Sequence, residues 1–349
     1  MVLLYVFIAL CAVFGLRACT EQESADYLGR TQSAAIKGIC VLLVFASHAA
    51  QYLIDTLPQT ALNAPLFTVR AMLGQLIVVP FLFYSGYGVR YSFETKGTAY
   101  LAAFPRNRIL KTYLHIALIL CLYLVMQLSF GERYSAGEVL QAFLLWQSIG
   151  NSTWYLFAIL FLYLAAAVSF FVFQKPRAAV LSVAGLSVAY MLVMSRFKDA
   201  FWYNTVLLYA LGMAAYDHRD GFRRLARDHV GVLIGAALGF ALLFVLWLKR
   251  PFSNALAGAF LYTLMSAVFM TAVLAFLVRV KVQNRLLIWL GGYVFEIYFL
   301  QRLPMRALTN LGLAAANPFL WLVCCAAATL LLAVACRKAF SALDSVLFR

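Results

Sequence analysis

The stretch AIKGICVLLVFASHAAQYLI, residues 35–54, is long and apolar enough to cross a membrane as a single helix. A hydrocarbon core of about 30 Å needs roughly 20 apolar residues, because an α-helix rises 1.5 Å per residue. The stretch nevertheless carries Lys37 near its start and His48 in its middle. An ionisable side chain inside a bilayer is costly and usually marks a function. The stretch therefore predicts a transmembrane helix with a candidate functional residue at His48.

Similar apolar runs recur along the whole chain. The 349 residues are 65% hydrophobic and only 12% charged, a balance outside the range of soluble domains. Short links join the runs, which indicates an all-α, polytopic transmembrane helical bundle of about eleven spans without a soluble domain. The predicted spans are 2–16, 35–54, 71–91, 109–129, 153–173, 178–195, 201–216, 230–248, 254–278, 286–301 and 317–336.

The chain divides into three predicted regions. Residues 1–34 form an N-terminal transmembrane helix and a linker, residues 35–336 the membrane domain, and residues 337–349 a short tail. The first run could instead be a signal peptide. It lacks a basic start and a clear cleavage site of small residues, so we expect it to be kept as a helix.

The net charge of +15 is distributed in a way that reports topology. Most of the Lys and Arg residues fall in the links on one side of the predicted spans. The positive-inside rule makes that side cytoplasmic, which places the N-terminus outside and the C-terminus inside. The charge is thus explained by the membrane and gives no reason to expect a nucleic-acid partner.

Glu296 is the second ionisable residue far from the end of a span. It lies 11 residues beyond Arg285, and His48 lies 11 residues beyond Lys37. Both spans run outward from the cytoplasm in the predicted topology. Each group should therefore lie about 16 Å into the bilayer, on the same helix face as the basic residue that precedes it. If the two helices are neighbours, the two side chains could meet.

Tyr52 and Asp55 continue the helix face of His48 toward the outer surface. A polar stripe of this kind requires a channel lined by protein, because lipid satisfies no polar group. Trp154 opens the fifth span at the same predicted surface. It is either a member of the aromatic belt that anchors membrane proteins or a contact for a substrate.

Two predicted spans are interrupted. The tenth contains Gly291 and Gly292 and ends at Arg302 and Pro304, and the third has Pro80 in its middle, before the run Ser-Gly-Tyr-Gly at 85–88. Broken helices are tolerated in membranes where their backbone lines a cavity. Small residues permit either close helix packing or the close approach of a ligand. Ser85 and Tyr87 belong to this run.

The link between the third and fourth spans is the most basic. This charge is either ordinary positive-inside charge or a clamp for an anionic, phosphate-bearing donor, since guanidinium groups suit phosphate. No spacing of Cys, His or carboxylate residues is typical of a metal site, so none is predicted. The basic residues of the link are Arg90, Lys96, Arg106, Arg108 and Lys111.

Five segments, in this order, resemble the acyltransferase-3 family of integral-membrane acyltransferases. The first holds a basic residue, a glycine and then His48, the second is an aromatic–Ser–Gly–Tyr segment, and the third is a basic Arg-x-Arg-Ile stretch. The fourth is a Trp-aromatic-Leu helix start, and the fifth is a closing Gly…Glu-Ile-Tyr segment. They read IKGICVLLVFASHA (36–49), PFLFYSGYGVRYSF (80–93), YLAAFPRNRILKTY (100–113), STWYLFAILFLYL (152–164) and WLGGYVFEIYFLQ (289–301).

The resemblance implies a ten-helix acyltransferase core over residues 35–336, with one extra N-terminal helix, in a bacterial inner membrane. Members move an acyl group, commonly acetyl, from cytoplasmic acyl-CoA to a sugar hydroxyl of an envelope glycan or lipid-linked sugar. His48 matches the essential histidine of the family, and Arg106 and Arg108 match its basic stretch. Two departures matter: Gln301 stands where the family often has His, and the Arg-x-Arg spacing is narrow.

These observations predict a direct acyl transfer. Lys37, Arg90, Arg106 and Arg108, with Ser85 and Tyr87, would bind acyl-CoA. His48 would act as general base, and Glu296 would orient its ring if adjacent. Tyr52, Asp55 and Trp154 would contact the acceptor. The alternative is a transporter or flippase of a lipid-linked or small anionic solute, because polar stripes and broken helices suit that function too.

Overall fold

The computed structural model describes residues 2–58, 60–173, 175–249 and 255–348. The start of the predicted span 254–278 and the two terminal residues of the chain lie outside the described residues. The α-helices are α1 (Val2–Val13), α2 (Glu21–Ser24), α3 (Arg30–Leu53), α4 (Ala64–Leu73), α5 (Val79–Phe104), α6 (Lys111–Ser129), α7 (Ala136–Phe143), α8 (Thr153–Val172), α9 (Pro176–Met194), α10 (Leu207–Asp228), α11 (Gly231–Lys249), α12 (Ala255–Arg279), α13 (Arg285–Gly292), α14 (Val294–Leu300), α15 (Arg302–Asn310), α16 (Leu313–Ala316) and α17 (Pro318–Leu347).

The expected helical membrane bundle is confirmed in its coarse form. Within the described ranges, seven helical stretches are long and apolar enough to cross a membrane, or eight if the bent pair Arg285–Gly292 and Val294–Asn310 forms one span. The count of eleven spans and the orientation remain predictions. Helix α1 has only 12 residues, about 18 Å of helix, and α10 continues to Asp228, well beyond the predicted end at 216.

A short antiparallel pair of strands is the exception to the all-α prediction. β1 (Leu16–Ala18) pairs with β2 (Val280–Val282), with Arg17 opposite Lys281. The pairing joins the segment after α1 to the segment between α12 and α13. The charge pattern assigns the links that carry both strands to the cytoplasm. Their pairing agrees with that prediction, because paired strands must lie on the same side of the membrane.

The third predicted span is built differently from the expectation. Helix α4 ends at Gly74, whose φ of +48° favours glycine, and a 3-10 turn over Gly74–Val78 leads into α5. Pro80 therefore lies in the first turn of α5, not in the middle of a helix. The first turn tolerates proline because its backbone N–H groups have no partner within the helix.

The basic link expected between the third and fourth spans is helical. Helix α5 continues to Phe104 with a kink at Gly97, and a π-helical turn over Pro105–Leu110 leads into α6. The cations of this region are thus carried on helices that extend the spans. Arg106 and Arg108 are both exposed on the π-helical turn.

Glycines bring two helix pairs into backbone contact. A Cβ on Gly38 of α3 would clash with the carbonyl oxygen of Leu287 in α13, and one on Gly291 would clash with that of Ala34. The same relation joins α5 to α10 through Gly86 and Gly212. Close packing through small residues is a common way for membrane helices to associate. It fixes α3, which carries His48, against the first half of the broken tenth span.

Candidate functional site

A cavity of about 660 Å³ borders His48. Its volume falls in the range of small-molecule sites, about 300–1,000 Å³. We call it the His48 cavity. Its walls come from α3, from α4 and the turn after it, from the loop before α8, from the segment after α9 and from the region around α14. The lining residues are Val44, Ser47, His48, Gln51, Arg70, Ala71, Gly74, Gln75, Ile77, Val78, Trp146, Gln147, Ser148, Asn151, Ser152, Thr153, Trp154, Lys198, Phe201, Trp202, Tyr298 and Arg302.

His48 is buried, with 8% of its surface exposed. Its Nε2 lies 3.3 Å from the Ser152 hydroxyl, while its Nδ1 has no hydrogen-bond partner among the described residues. Arg302 donates from Nη1 to the same hydroxyl at 3.4 Å and from Nε to the Tyr52 hydroxyl at 3.5 Å. The imidazole is thus linked through one hydroxyl to a guanidinium at the wall of the cavity. A nitrogen placed this way can accept a proton from a hydroxyl that enters the cavity.

A second cavity of about 410 Å³ borders Lys37. We call it the Lys37 cavity. Ser85 lies in its wall and shares a hydrogen bond of 3.0 Å with the Tyr163 hydroxyl. Arg108 donates to the Tyr100 hydroxyl at 3.3 Å. The lining residues are Lys37, Phe81, Tyr84, Ser85, Gly88, Arg108, Thr112, Tyr155, Leu156, Ile159, Tyr163, Gly291, Gly292, Val294, Phe295 and Tyr298.

The two cavities share Tyr298 as a lining residue. Its ring centre lies 6.2 Å from that of His48 and 5.2 Å from that of Tyr155, which borders the Lys37 cavity. Helix α3 is unbroken between Lys37 and His48, so these residues are about 16 Å apart along its axis. The cavities therefore follow one another along α3, with Tyr298 between them.

The two glycine pairs of the interrupted spans have divided roles. Gly86 and Gly291 lie against backbone carbonyls of neighbouring helices, which leaves no room for a side chain. Gly88 and Gly292 border the Lys37 cavity, and a Cβ on either would meet nothing within 4 Å. One glycine of each pair thus packs against a helix, and the other borders open space, whose use by a ligand stays a prediction.

Glu296 is not joined to His48. Its carboxylate accepts hydrogen bonds from Nε and Nη2 of Arg337, at 2.5 Å and 2.6 Å. The prediction that Glu296 would lie above Arg285 assumed a straight helix. The chain instead bends by 69° between α13 and α14, which turns Glu296 toward α17. Arg337 also donates to the Gly292 carbonyl oxygen at 2.6 Å. It therefore contacts α13 on one side of the bend and α14 on the other, and these contacts stabilise the bend.

Three residues predicted to bind the donor lie outside both cavities. Arg90 is buried in ion pairs with Glu94 and Asp217, at 2.6 Å and 2.7 Å. Tyr87 packs its ring against Tyr216. Arg106 is exposed and donates to the Leu347 carbonyl oxygen. Lys37, Arg108 and Ser85 are the predicted donor contacts that line the Lys37 cavity.

The residues predicted to contact the acceptor are also separated. Trp154 lines the His48 cavity, and Tyr52 lies behind it, hydrogen-bonded to Arg302 and packed against Trp321. Asp55 is exposed in the turn beyond the end of α3. Because the helix ends at Leu53, the predicted stripe does not extend to Asp55.

Four residues of the His48 cavity were missed as site residues: Ser152, Arg302, Arg70 and Lys198. The polar run Asn151–Ser152–Thr153, directly before an apolar span, was a usable signal. Arg302 was visible as an interruption of the tenth span, and the other two cations looked like ordinary link residues. Burial lowers the pKa of Lys198, and Asp199 partly opposes this. Its ammonium lies over the rings of Trp146 and Trp202, at 4.0 Å and 4.6 Å from their centres.

Metal-binding groups of three or more His, Cys, Asp or Glu side chains do not occur among the described residues. The acyltransferase-3 family model, described as an acyltransferase domain, matches the chain over residues 33–338. No curated protein and no solved structure matches the chain.

Proposed function

Because the chain belongs to the acyltransferase-3 family, we propose that it moves an acyl group from acyl-CoA to a hydroxyl of a cell-envelope glycan or lipid-linked sugar, with His48 as general base. The observation that carries this proposal is the position of His48. Its Nε2 is hydrogen-bonded to Ser152 at a cavity that shares Tyr298 with a second, cationic cavity. Two substrates can thus approach one imidazole from two directions.

The Lys37 cavity is the proposed site of the acyl donor. Lys37 and Arg108 supply positive charge at its wall, and none of the described residues that line it is a carboxylate. Phosphate groups of acyl-CoA favour such a cationic wall. The open space beside Gly88 and Gly292 admits the narrow pantetheine arm, which would carry the thioester past Tyr298 toward His48. The donor would be acetyl-CoA, as is common in the family.

The His48 cavity is the proposed site of the acceptor. The acceptor oxygen attacks the thioester carbonyl while His48 Nε2 takes the hydroxyl proton. As the tetrahedral intermediate collapses, the carbon–sulfur bond breaks and the imidazolium returns the proton to the departing thiolate. The guanidinium of Arg302, which donates to the Ser152 hydroxyl at 3.4 Å, would stabilise negative charge on the carbonyl oxygen.

Glu296 has a different role in this proposal. It stabilises the bend between α13 and α14 through Arg337 and takes no part in orienting His48. Tyr298 follows that bend by five residues and separates the cavities. The ion pair therefore acts on the geometry of the passage. The membrane would be a bacterial inner membrane, with the Lys37 cavity facing the cytoplasm.

The test is turnover by purified full-length protein in lipid nanodiscs, with radiolabelled acetyl-CoA and envelope glycan fractions. His48→Ala should lower acyl transfer by about 10²- to 10⁴-fold, the contribution of a general base. His218→Ala is the matched control, because His218 is exposed on α10 away from both cavities. Transfer by His48→Ala within a few-fold of the wild-type rate would refute the base assignment.

A further inference from the structure

Three cations line the His48 cavity, and no Asp or Glu of the described residues does. Arg302 donates to two hydroxyls, and Lys198 donates to the Trp146 carbonyl oxygen at 2.8 Å. Neither of them, nor Arg70, forms an ion pair with a carboxylate of the described chain. Three cations without an ion-paired carboxylate therefore border one cavity. Asp199 follows Lys198 in the chain but is exposed and does not line the cavity.

Some buried or partly buried cations elsewhere are neutralised by carboxylates, while others, such as Arg279 and Arg227, donate to backbone carbonyl oxygens. Arg90 pairs with two acids, Arg306 with Glu132, and Arg337 with Glu296. A cation held near low-dielectric protein is stabilised by an opposite charge, and leaving it unpaired is costly. The chain thus supplies acids to some partly buried cations and pairs none with the three cations of the His48 cavity. An anionic ligand would supply the missing charge.

The same walls are rich in aromatic rings. Trp146, Trp154, Phe201 and Trp202 line the cavity together with Tyr298. The negative face of an aromatic ring attracts the weakly positive C–H groups on the flat side of a sugar ring. Aromatic faces interleaved with cations therefore match a ligand that is both a saccharide and an acid, better than they match a neutral sugar or a bare anion.

We infer that the His48 cavity selects an acidic saccharide, whose carboxylate or phosphate binds Arg70, Lys198 and Arg302 while its ring packs on the tryptophans. The inference rests on the proposed function and names the acceptor class. Arg302 reaches the Ser152 hydroxyl at 3.4 Å, and that hydroxyl lies 3.3 Å from His48 Nε2. The acid group and the hydroxyl that is acylated would thus lie on the same or adjacent sugar residues.

Binding can be measured without turnover in the His48→Ala variant, using the full chain in nanodiscs and the fluorescence of the cavity tryptophans. The probes are methyl glucuronoside and glucose 1-phosphate, with methyl glucoside as the neutral match. We expect each acidic probe to bind at least about tenfold more tightly than the neutral one and to weaken as salt rises. Arg70→Gln, Lys198→Gln and Arg302→Gln, each made in this background, should weaken acidic binding about tenfold. Arg196→Gln, an exposed cation near Lys198 and outside the cavity, should change nothing.

The outcomes separate the two proposals. Equal binding of acidic and neutral probes, or acidic binding without salt dependence, would overturn the inference even if a substituted variant fails to fold. Binding of the glucuronoside alone would identify a carboxylate, and binding of glucose 1-phosphate alone a phosphate; either supports the site. Acid-selective binding with no acyl transfer by the wild type would support the site and refute the proposed function. Transfer to neutral and acidic acceptors at equal kcat/KM would refute the selection of acidic saccharides and would leave the proposed acyl transfer intact.

Discussion

Replacing Arg337 with methionine removes the counterion of a buried carboxylate while keeping much of the apolar stem that packs around it. Glu296 is 6% exposed at its side chain, and Arg337 is 38% exposed. Two hydrogen bonds join them, at 2.5 Å and 2.6 Å. The variant Arg337→Met would leave Glu296 buried with neither bond.

The size of the effect follows from this geometry. Removing one partner of a buried ion pair costs about 3–5 kcal/mol, because the remaining charge is desolvated and unpaired. Arg337 is partly exposed, so water can reach the vacated space and we expect the lower figure, about 3 kcal/mol. At about 2.1 cal/mol/K per residue, a domain the size of residues 35–336 has an unfolding entropy of about 0.6 kcal/mol/K. The expected fall in Tm is therefore about 5 °C.

The assay is thermal unfolding of the purified wild type, Arg337→Met, Glu296→Gln and the double variant. The double variant removes both charges, so it should recover most of the loss of Arg337→Met. The pH dependence of kcat gives a second readout. If Glu296 braces the bend, Glu296→Gln leaves the pH profile of His48 unchanged. Strictly additive losses in the double variant, or a shifted profile in Glu296→Gln, would refute the reasoning.

The remaining predictions concern the cavities. Gly88→Leu places a side chain in the open space of the Lys37 cavity. The new side chain would crowd the bound donor. If that costs about 1–3 kcal/mol of binding free energy, as overpacking does in a protein core, the KM for acetyl-CoA should rise about 5- to 150-fold. Gly185→Leu, at an exposed position of α9 outside both cavities, is its control, and equal KM values for the two variants would contradict the donor site. Gly86→Ala should instead lower the Tm, because its Cβ would meet the Tyr209 carbonyl oxygen; an unchanged Tm would show that α5 and α10 are not packed backbone to backbone. Ser152→Ala removes the described partner of His48 and should lower kcat about 2- to 10-fold, as measured by acyl transfer at saturating donor; a loss as complete as that of His48→Ala would contradict a positioning role.

The candidate site was predictable where the signal was local. An imidazole within an apolar run is visible in the sequence, and α3 is unbroken from Lys37 to His48, as the estimate of its position assumed. The same estimate was wrong for Glu296, because Tyr293 interrupts the helix and the chain bends there. A rise per residue is valid only along one straight axis.

The sequence by itself determined that this chain is a helical membrane protein of the acyltransferase-3 family and that His48 is its most informative residue. The helical membrane prediction and the choice of His48 depend on the free energy of placing a side chain in hydrocarbon, which is a property of each residue and its neighbours along the chain. The family was predicted instead from five segments that resemble its motifs in order. Only the tertiary structure decided that Ser152 and Arg302 meet at His48, that Glu296 belongs to Arg337, and that the cations of one cavity lack acids. Those pairings join residues up to 150 positions apart, and they depend on which helices pack together and where a helix bends, which no local pattern records.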